Sequence, residues 1–318
     1  MTLPLLLLAF TAIVLGRYVV VSGTFAAITA RARPGLHSSA RSRRQQRAER
    51  RWSGLAALIY AVPTGLAFWA WREHGLTKLY TDPGEYGLWY LPVGGLVYLL
   101  AHDAWFYWTH RAMHEPRLFR IVHKVHHDSR PPTAWAAMSF HWTESLSGAI
   151  LFPVMVFFVP VHVGALGAVL AIATFFGVTN HLGWEIFPAR IVNGAFGRWV
   201  ITASHHHGHH ANYRSNYGLY FRFWDRLCGT DRGLEGDFGR EEMESRARAA
   251  ARRRPDGARR GTGHATGGRH HGNGHGNDGH SDDRDEDGRD RDAGHGQTAS
   301  GAGGPALDEG QPARLPVV

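Results

Sequence analysis

The sequence predicts an all-α fold: an integral membrane helical bundle of about four transmembrane helices, one of them broken into a hairpin, with histidine-rich helices on its cytoplasmic side. Three observations predict it. Apolar stretches recur between residues 3 and 180. A run of arginines separates the first two stretches. Histidines gather beyond the third and fourth at helical spacing.

Residues 3–29 are apolar except for Arg17 and lack a charged leader, so a retained helix is expected rather than a cleaved signal peptide. Arg17 falls in mid-span and must either snorkel or face the protein interior. Residues 31–51 hold eight arginines (Arg31, Arg33, Arg41, Arg43, Arg44, Arg47, Arg50 and Arg51) against one acid, Glu49. Between two apolar segments this reads as a positive-inside loop touching anionic lipid. No soluble domain surrounds it, so nucleic acid is not an expected partner.

Residues 53–71 and 87–109 give the second and third spans, each near the roughly 20 residues that a bilayer requires. Residues 146–180 are too long for one span and are broken by Pro160 and Gly164, which predicts a hairpin of two short helices. With the arginine run cytoplasmic, the third span returns to the cytoplasm near His110. Every histidine cluster from His102 to His210 then lies on or near that face.

The chain therefore divides into an N-terminal membrane helix (1–30), a basic loop (31–52), a membrane-embedded histidine-bearing domain (53–235) and a tail (236–318). The tail is rich in Gly, Arg, Asp and His and carries almost no large apolar side chains. Such a segment buries too little to offset its ordering entropy, so disorder is expected there. The single cysteine, Cys228, excludes a disulfide framework and any thiolate-rich zinc or iron–sulfur site.

Sixteen of the 22 histidines lie in the body of the chain. His110 and His114 are four apart, on one helical face. His123, His126 and His127 have offsets 0, 3 and 4, and His206, His209 and His210 repeat them. His141 and His181 fall between the second and third clusters. Neutral imidazole is a good ligand for iron, zinc and copper, and two metals need many ligands where carboxylates are scarce. Buried imidazoles without partners would each cost about 1–3 kcal/mol, which metal coordination removes. His37, His74 and His162 stand alone and read as ordinary interfacial or packed residues. The tail histidines (His264, His270, His271, His275, His280 and His295) show no helical pattern.

At these motifs the chain resembles the fatty acid hydroxylase superfamily, which includes sterol desaturases, methylsterol oxidases and carotenoid hydroxylases. The resemblance runs from His102 to Thr230. It covers His-Asp-x₃-Tyr-Trp-x-His-Arg-x₂-His at 102–114, His-Lys-Val-His-His at 123–127, and Ser-His-His-x₂-His-His at 204–210. It ends with Asn216-Tyr217-Gly218 and Trp224-Asp225-Arg226-Leu227-Cys228-Gly229-Thr230, where Cys228 replaces the usual Phe.

The resemblance implies about four membrane helices capped by a cytosolic helical domain, a di-iron centre, and O₂-dependent oxidation of a lipid C–H bond. It makes His110, His114, His123, His126, His127, His206, His209 and His210 the catalytic iron ligands, with His181 an additional one. His141, in Phe-His-Trp-Thr-Glu, resembles a further family motif but departs from it at Trp142 and Thr143. Asp103, Glu144 and Asn216 are candidates to receive the outward N–H of a metal-bound ring, and Asp128 and Asp225 are weaker ones.

No dinucleotide fingerprint is present, so electrons must come from a separate redox partner: a reductase, a ferredoxin or a cytochrome-type donor. Hydroxylation and desaturation both remain open, as does a lyase-like carbonyl-processing relative. The rival class is a histidine-rich membrane metal-binding or transport protein. Transporters hold ligands near the midplane on broken helices, whereas these clusters follow the spans. A degenerate member that only binds lipid is disfavoured by three intact clusters.

Overall fold

Residues 2–234 are described by the computed structural model, and all of them fall in one compact unit. The predicted tail and its histidines lie outside the described residues. Helix α1 (Leu3–Ala32) and helix α2 (Ala40–His74) run through 30 and 35 residues. The expected basic loop is largely absent as a loop: the chain leaves helical geometry between 33 and 39 and re-enters it at Ala40. Arg, Gln, Ala and Glu are good helix formers, and the Ser39 side chain accepts from the Ser42 N–H at 3.1 Å to start the helix. At 1.5 Å per residue α2 is roughly 52 Å long, well beyond a hydrocarbon core of about 30 Å. It stops at Gly75, whose φ of 60° is the left-handed geometry that glycine adopts freely.

Helix α3 (Tyr90–Met113) follows, then two short helices, α4 (Pro116–Val122) and α5 (Lys124–His127), and a 3₁₀ turn at Ala134–Met138. The 146–180 stretch forms two helices, α6 (Trp142–Met155) and α7 (Val163–Asn180), with the break between them at 156–162, so that Pro160 lies in the break and Gly164 falls inside α7. Two two-residue strands, β1 (Leu79–Tyr80) and β2 (Val161–His162), pair in parallel and tie that break to the segment after α2. Helices α8 (Ala189–Val192), α9 (Ala195–Trp199), α10 (Ala203–Asn212) and α11 (Phe223–Leu227) complete the described chain.

Three of these helices, α1, α2 and α7, are long and apolar enough to cross a membrane. Their outward faces carry large apolar side chains such as Leu8, Val20, Leu58 and Phe175. The inward face of α2 is built from small residues, among them Ser53, Ala56, Ala57, Ala61 and Gly65. With no apolar driving force between helices in lipid, small residues allow backbones to approach and dispersion to act. Leu7 of α1 packs over Gly65, where a Cβ would meet it at 2.7 Å.

One core cluster gathers Ala67, Tyr98, Val156, Val161 and Val169 near the strand pair. Another gathers Ala134, Val178, Leu182 and Trp184 beside the histidines. Buried Glu49 accepts from Gln45 Nε2 at 2.8 Å and from Thr133 Oγ1 at 2.5 Å. Gln45 Nε2 also donates to the Pro131 carbonyl. The basic start of α2 is thereby fastened to the segment that follows His126 and His127.

Candidate metal centre

Helix periodicity decides where each histidine points. His110 and His114 close α3, His123 links α4 to α5, and His126 and His127 lie on α5. His206, His209 and His210 lie on α10, and His181 follows the last residue of α7. These nine side chains form two groups. One is His110, His114, His123, His127 and His209; the other is His126, His181, His206 and His210. Within each group the ligand atoms lie within 4.8 Å of one another.

Pairs four apart (110/114, 123/127 and 206/210) share a group, because four residues complete little more than one turn. His126 and His127 are about 100° apart around the helix and enter different groups. Helices α5 and α10 therefore serve both groups, whereas spacing alone suggested that each helix serves one point.

Four rings are fixed through Nδ1. His110 Nδ1 donates to the Tyr217 carbonyl at 2.7 Å, His181 to Gly177 at 2.6 Å, and His209 to Ser215 at 2.8 Å. His123 Nδ1 donates to Glu144 Oε1 at 2.8 Å. Carbonyl and carboxylate oxygens only accept, so each Nδ1 holds the proton and each Nε2 presents a bare lone pair. His110 Nε2 and His123 Nε2 nevertheless face each other at 3.0 Å. His181 Nε2 is met by both His126 Nε2 at 3.0 Å and His206 Nε2 at 2.9 Å.

One lone pair cannot accept two ring donors, and two lone pairs repel. A shared cation relieves both contacts. Two nitrogens about 2.1 Å from one ion and at right angles lie about 3.0 Å apart. His114 Nε2 is also buried without a hydrogen-bond partner. The donor set thus fits metal ions.

Burial and neighbouring imidazoles hold His123, His126, His127, His206, His209 and His210 well below the usual histidine range. Burial pushes His181 down to about 4 and His205 down to about 3. In the unfolded chain these rings titrate near 6.5, so below that pH the unfolded state binds protons that the folded state refuses. Stability is expected to fall as pH drops from about 6.5 to about 4, by about 3 kcal/mol for His181 alone. Thermal melts of metal-free protein across that window check the slope; a flat profile contradicts it.

Residues 215–221 form the wall that receives His110 and His209, and buried polar side chains fix it. Asp225 accepts from the Tyr217 and Gly218 N–H groups, both at 2.9 Å, and from Thr230 Oγ1 at 2.8 Å. Asp103 accepts from the Tyr220 and Phe221 N–H groups. Asn216, at φ 57°, donates to the His205 and Gly233 carbonyls and accepts from the Arg232 N–H. Of the three expected ring partners, Glu144 touches a ring of the two groups. Asp103 and Asn216 hold backbone instead.

Asp128 pairs with Lys124 on the surface. His141 bonds Thr143 and stands outside both groups, as do His37 and His162. Glu185 was not singled out from the sequence. It accepts from the Ser204 N–H and hydroxyl at the start of α10, where a negative charge complements the helix dipole. An acid four residues after His181 was the available signal.

A cavity of about 370 Å³ opens onto both groups. His110, His123, His126 and His181 line it, together with apolar side chains such as Phe10, Phe68 and Leu166.

Residues 95–230, which contain all nine histidines, match the family model described as fatty acid hydroxylase. Among curated proteins the chain is 29% identical over 178 residues to the Delta(7)-sterol 5(6)-desaturase ERG3B of Gibberella zeae, covering 55% of this chain and 54% of that protein. It is 30% identical over 161 residues to human lathosterol oxidase, covering 49% and 51%. It is 31% identical over 158 residues to the Delta(7)-sterol 5(6)-desaturase erg32 of Schizosaccharomyces pombe, covering 50% and 46%. The chain spans about half the length of the curated relatives it matches. No solved structure matches it. The matched segment, the motifs within it and these relatives support placing residues 95–230 in the fatty acid hydroxylase superfamily.

Proposed function

We propose that this chain is a membrane di-iron oxidoreductase that uses O₂ to oxidise a C–H bond of a lipid, by desaturation or hydroxylation. The observation that carries the reading is the set of nine histidines, eight buried and His114 half-buried, whose lone pairs converge in two adjacent groups beside an apolar cavity. One group would hold an iron through His110, His114, His123, His127 and His209. The other would hold one through His126, His181, His206 and His210. Two bound irons would supply the redox chemistry that activates O₂ and removes hydrogen from an unactivated carbon.

The protein's own part is positioning. Glu144 and the Tyr217, Ser215 and Gly177 carbonyls fix the tautomer and tilt of four rings. The cavity excludes water and aims a carbon at the group ends. The names of the relatives, sterol desaturases and a sterol oxidase, make a Δ7-sterol the first substrate to try. In this reading α3 is the fourth span, and α4, α5 and α8–α11 form the cytosolic cap. The basic start of α2 faces the cytoplasm with them, where a separate electron donor docks.

The test uses the full-length, iron-loaded protein in lipid nanodiscs with a reductant, O₂, and either a Δ7-sterol or a fatty acyl lipid. The expected product has lost two hydrogens or gained one oxygen, and none forms under argon. A fully loaded protein that consumes O₂ with no lipid of either class would overturn the proposal.

A further inference from the structure

Arg17 is the one charged side chain between Leu3 and Ala30 of α1. It turns inward and lines the cavity together with Tyr60, His102 and Glu144. Its Nε is buried without a hydrogen-bond partner, and no ion pair forms on it among the described residues. The carboxylate of the same cavity is committed elsewhere: Glu144 Oε1 receives His123, and Oε2 bonds nothing within the described residues.

Two hydroxyls, those of Tyr60 and Tyr220, lie within electrostatic range of Arg17. The Tyr220 hydroxyl already bonds His102 Nδ1 at 2.6 Å. Tyr60 lies over Gly148, whose lack of a Cβ leaves room for the phenol oxygen. A guanidinium in an apolar, membrane-embedded wall normally faces a counter-charge. Among the described residues no carboxylate pairs with Arg17.

We propose that Arg17 is the specificity-determining residue of this cavity and pairs with a carboxylate carried by a lipid substrate. The inference rests on the reading that the cavity holds the substrate. The planar fork of a guanidinium matches the two oxygens of a carboxylate. A cavity of about 370 Å³ suits a single chain or one ring system rather than a two-chain lipid. Tyr220 ties Arg17 to the level of His102, eight residues ahead of His110 and so about 12 Å away along α3. The carboxylate is therefore held remote from the carbon that faces the histidines.

Binding tests it without reference to turnover. Full-length iron-loaded protein in nanodiscs is titrated with a brominated long-chain fatty acid and with its methyl ester. Quenching of tryptophan fluorescence is read, with Trp105 on the cavity wall, and each titration is referenced to empty discs. The acid is expected to bind about 10- to 100-fold more tightly than the ester, the range of a charge-assisted bond. In Arg17→Gln the acid falls to the level of the ester while ester binding and iron content stay unchanged. In Arg17→Lys most of the preference survives.

Equal binding of acid and ester by the wild-type chain would overturn the proposal, even if Arg17→Gln fails to fold. So would a preference that persists in Arg17→Gln. Acid preference without lipid oxidation would leave this subsite standing and defeat the proposed activity instead.

Discussion

His127→Ala and His206→Ala, one from each group, are each expected to lower lipid oxidation by more than about 100-fold, beyond the 10- to 100-fold typical of residues that merely support a ligand. Each removes a nitrogen that sits among partners within 4.8 Å. His127 Nε2 faces His209 Nε2 at 3.2 Å, and His206 Nε2 faces both His181 and His210. Loss of either ring opens one position on one ion and leaves the other group's nitrogens in place. Both variants should therefore retain part of their metal while losing product formation. Product analysis beside circular dichroism distinguishes this from unfolding. A folded variant with wild-type turnover would remove that histidine from the centre.

Asp225→Ala is expected to be the most destabilising change outside the ligands. The carboxylate is buried and accepts two backbone N–H groups and one hydroxyl. Truncation leaves those donors unsatisfied at about 1–3 kcal/mol each, or about 3–5 kcal/mol after partial relaxation. The loss should also reach the metals, because the wall it holds carries the Tyr217 carbonyl that receives His110. Asp225→Asn keeps the shape and loses one acceptor, so it should cost less, about 1–2 kcal/mol. Thermal unfolding of the loaded protein, with metal retention followed in parallel, checks both. A melt of Asp225→Ala that coincides with wild type would show that the segment is held by other contacts.

Much of this was legible in the sequence because two periodicities are strong. Apolar stretches marked α1, the later part of α2, α3, α6 and α7. Histidine spacing marked the residues that the fold brings together. What spacing alone could not supply was direction in three dimensions. Three histidines within five residues look like one cluster, yet the 100° step between His126 and His127 sends them to different groups.

The arginine run looked like a loop on charge grounds, but its helix-forming residues and the Ser39 cap continue α2 beyond the apolar span. Asp103 and Asn216 sit beside ligand motifs in the chain, but their side chains are spent on backbone from residues 205–233. That pairing depends on a chain reversal that no local pattern records. Arg17 was left with two directions by hydropathy, and packing of α1 turned it toward the cavity.

The most direct measurement is iron per chain in the purified, anaerobically loaded full-length protein, compared with a His126→Ala/His127→Ala variant. This pair takes one ligand from each group, and the difference between the two proteins cancels any metal held by histidines outside the described residues. The account predicts about two irons per chain that the variant loses, the expectation for two histidine-lined sites. An equal count in both proteins, or a wild-type chain that holds no iron after loading, would contradict it.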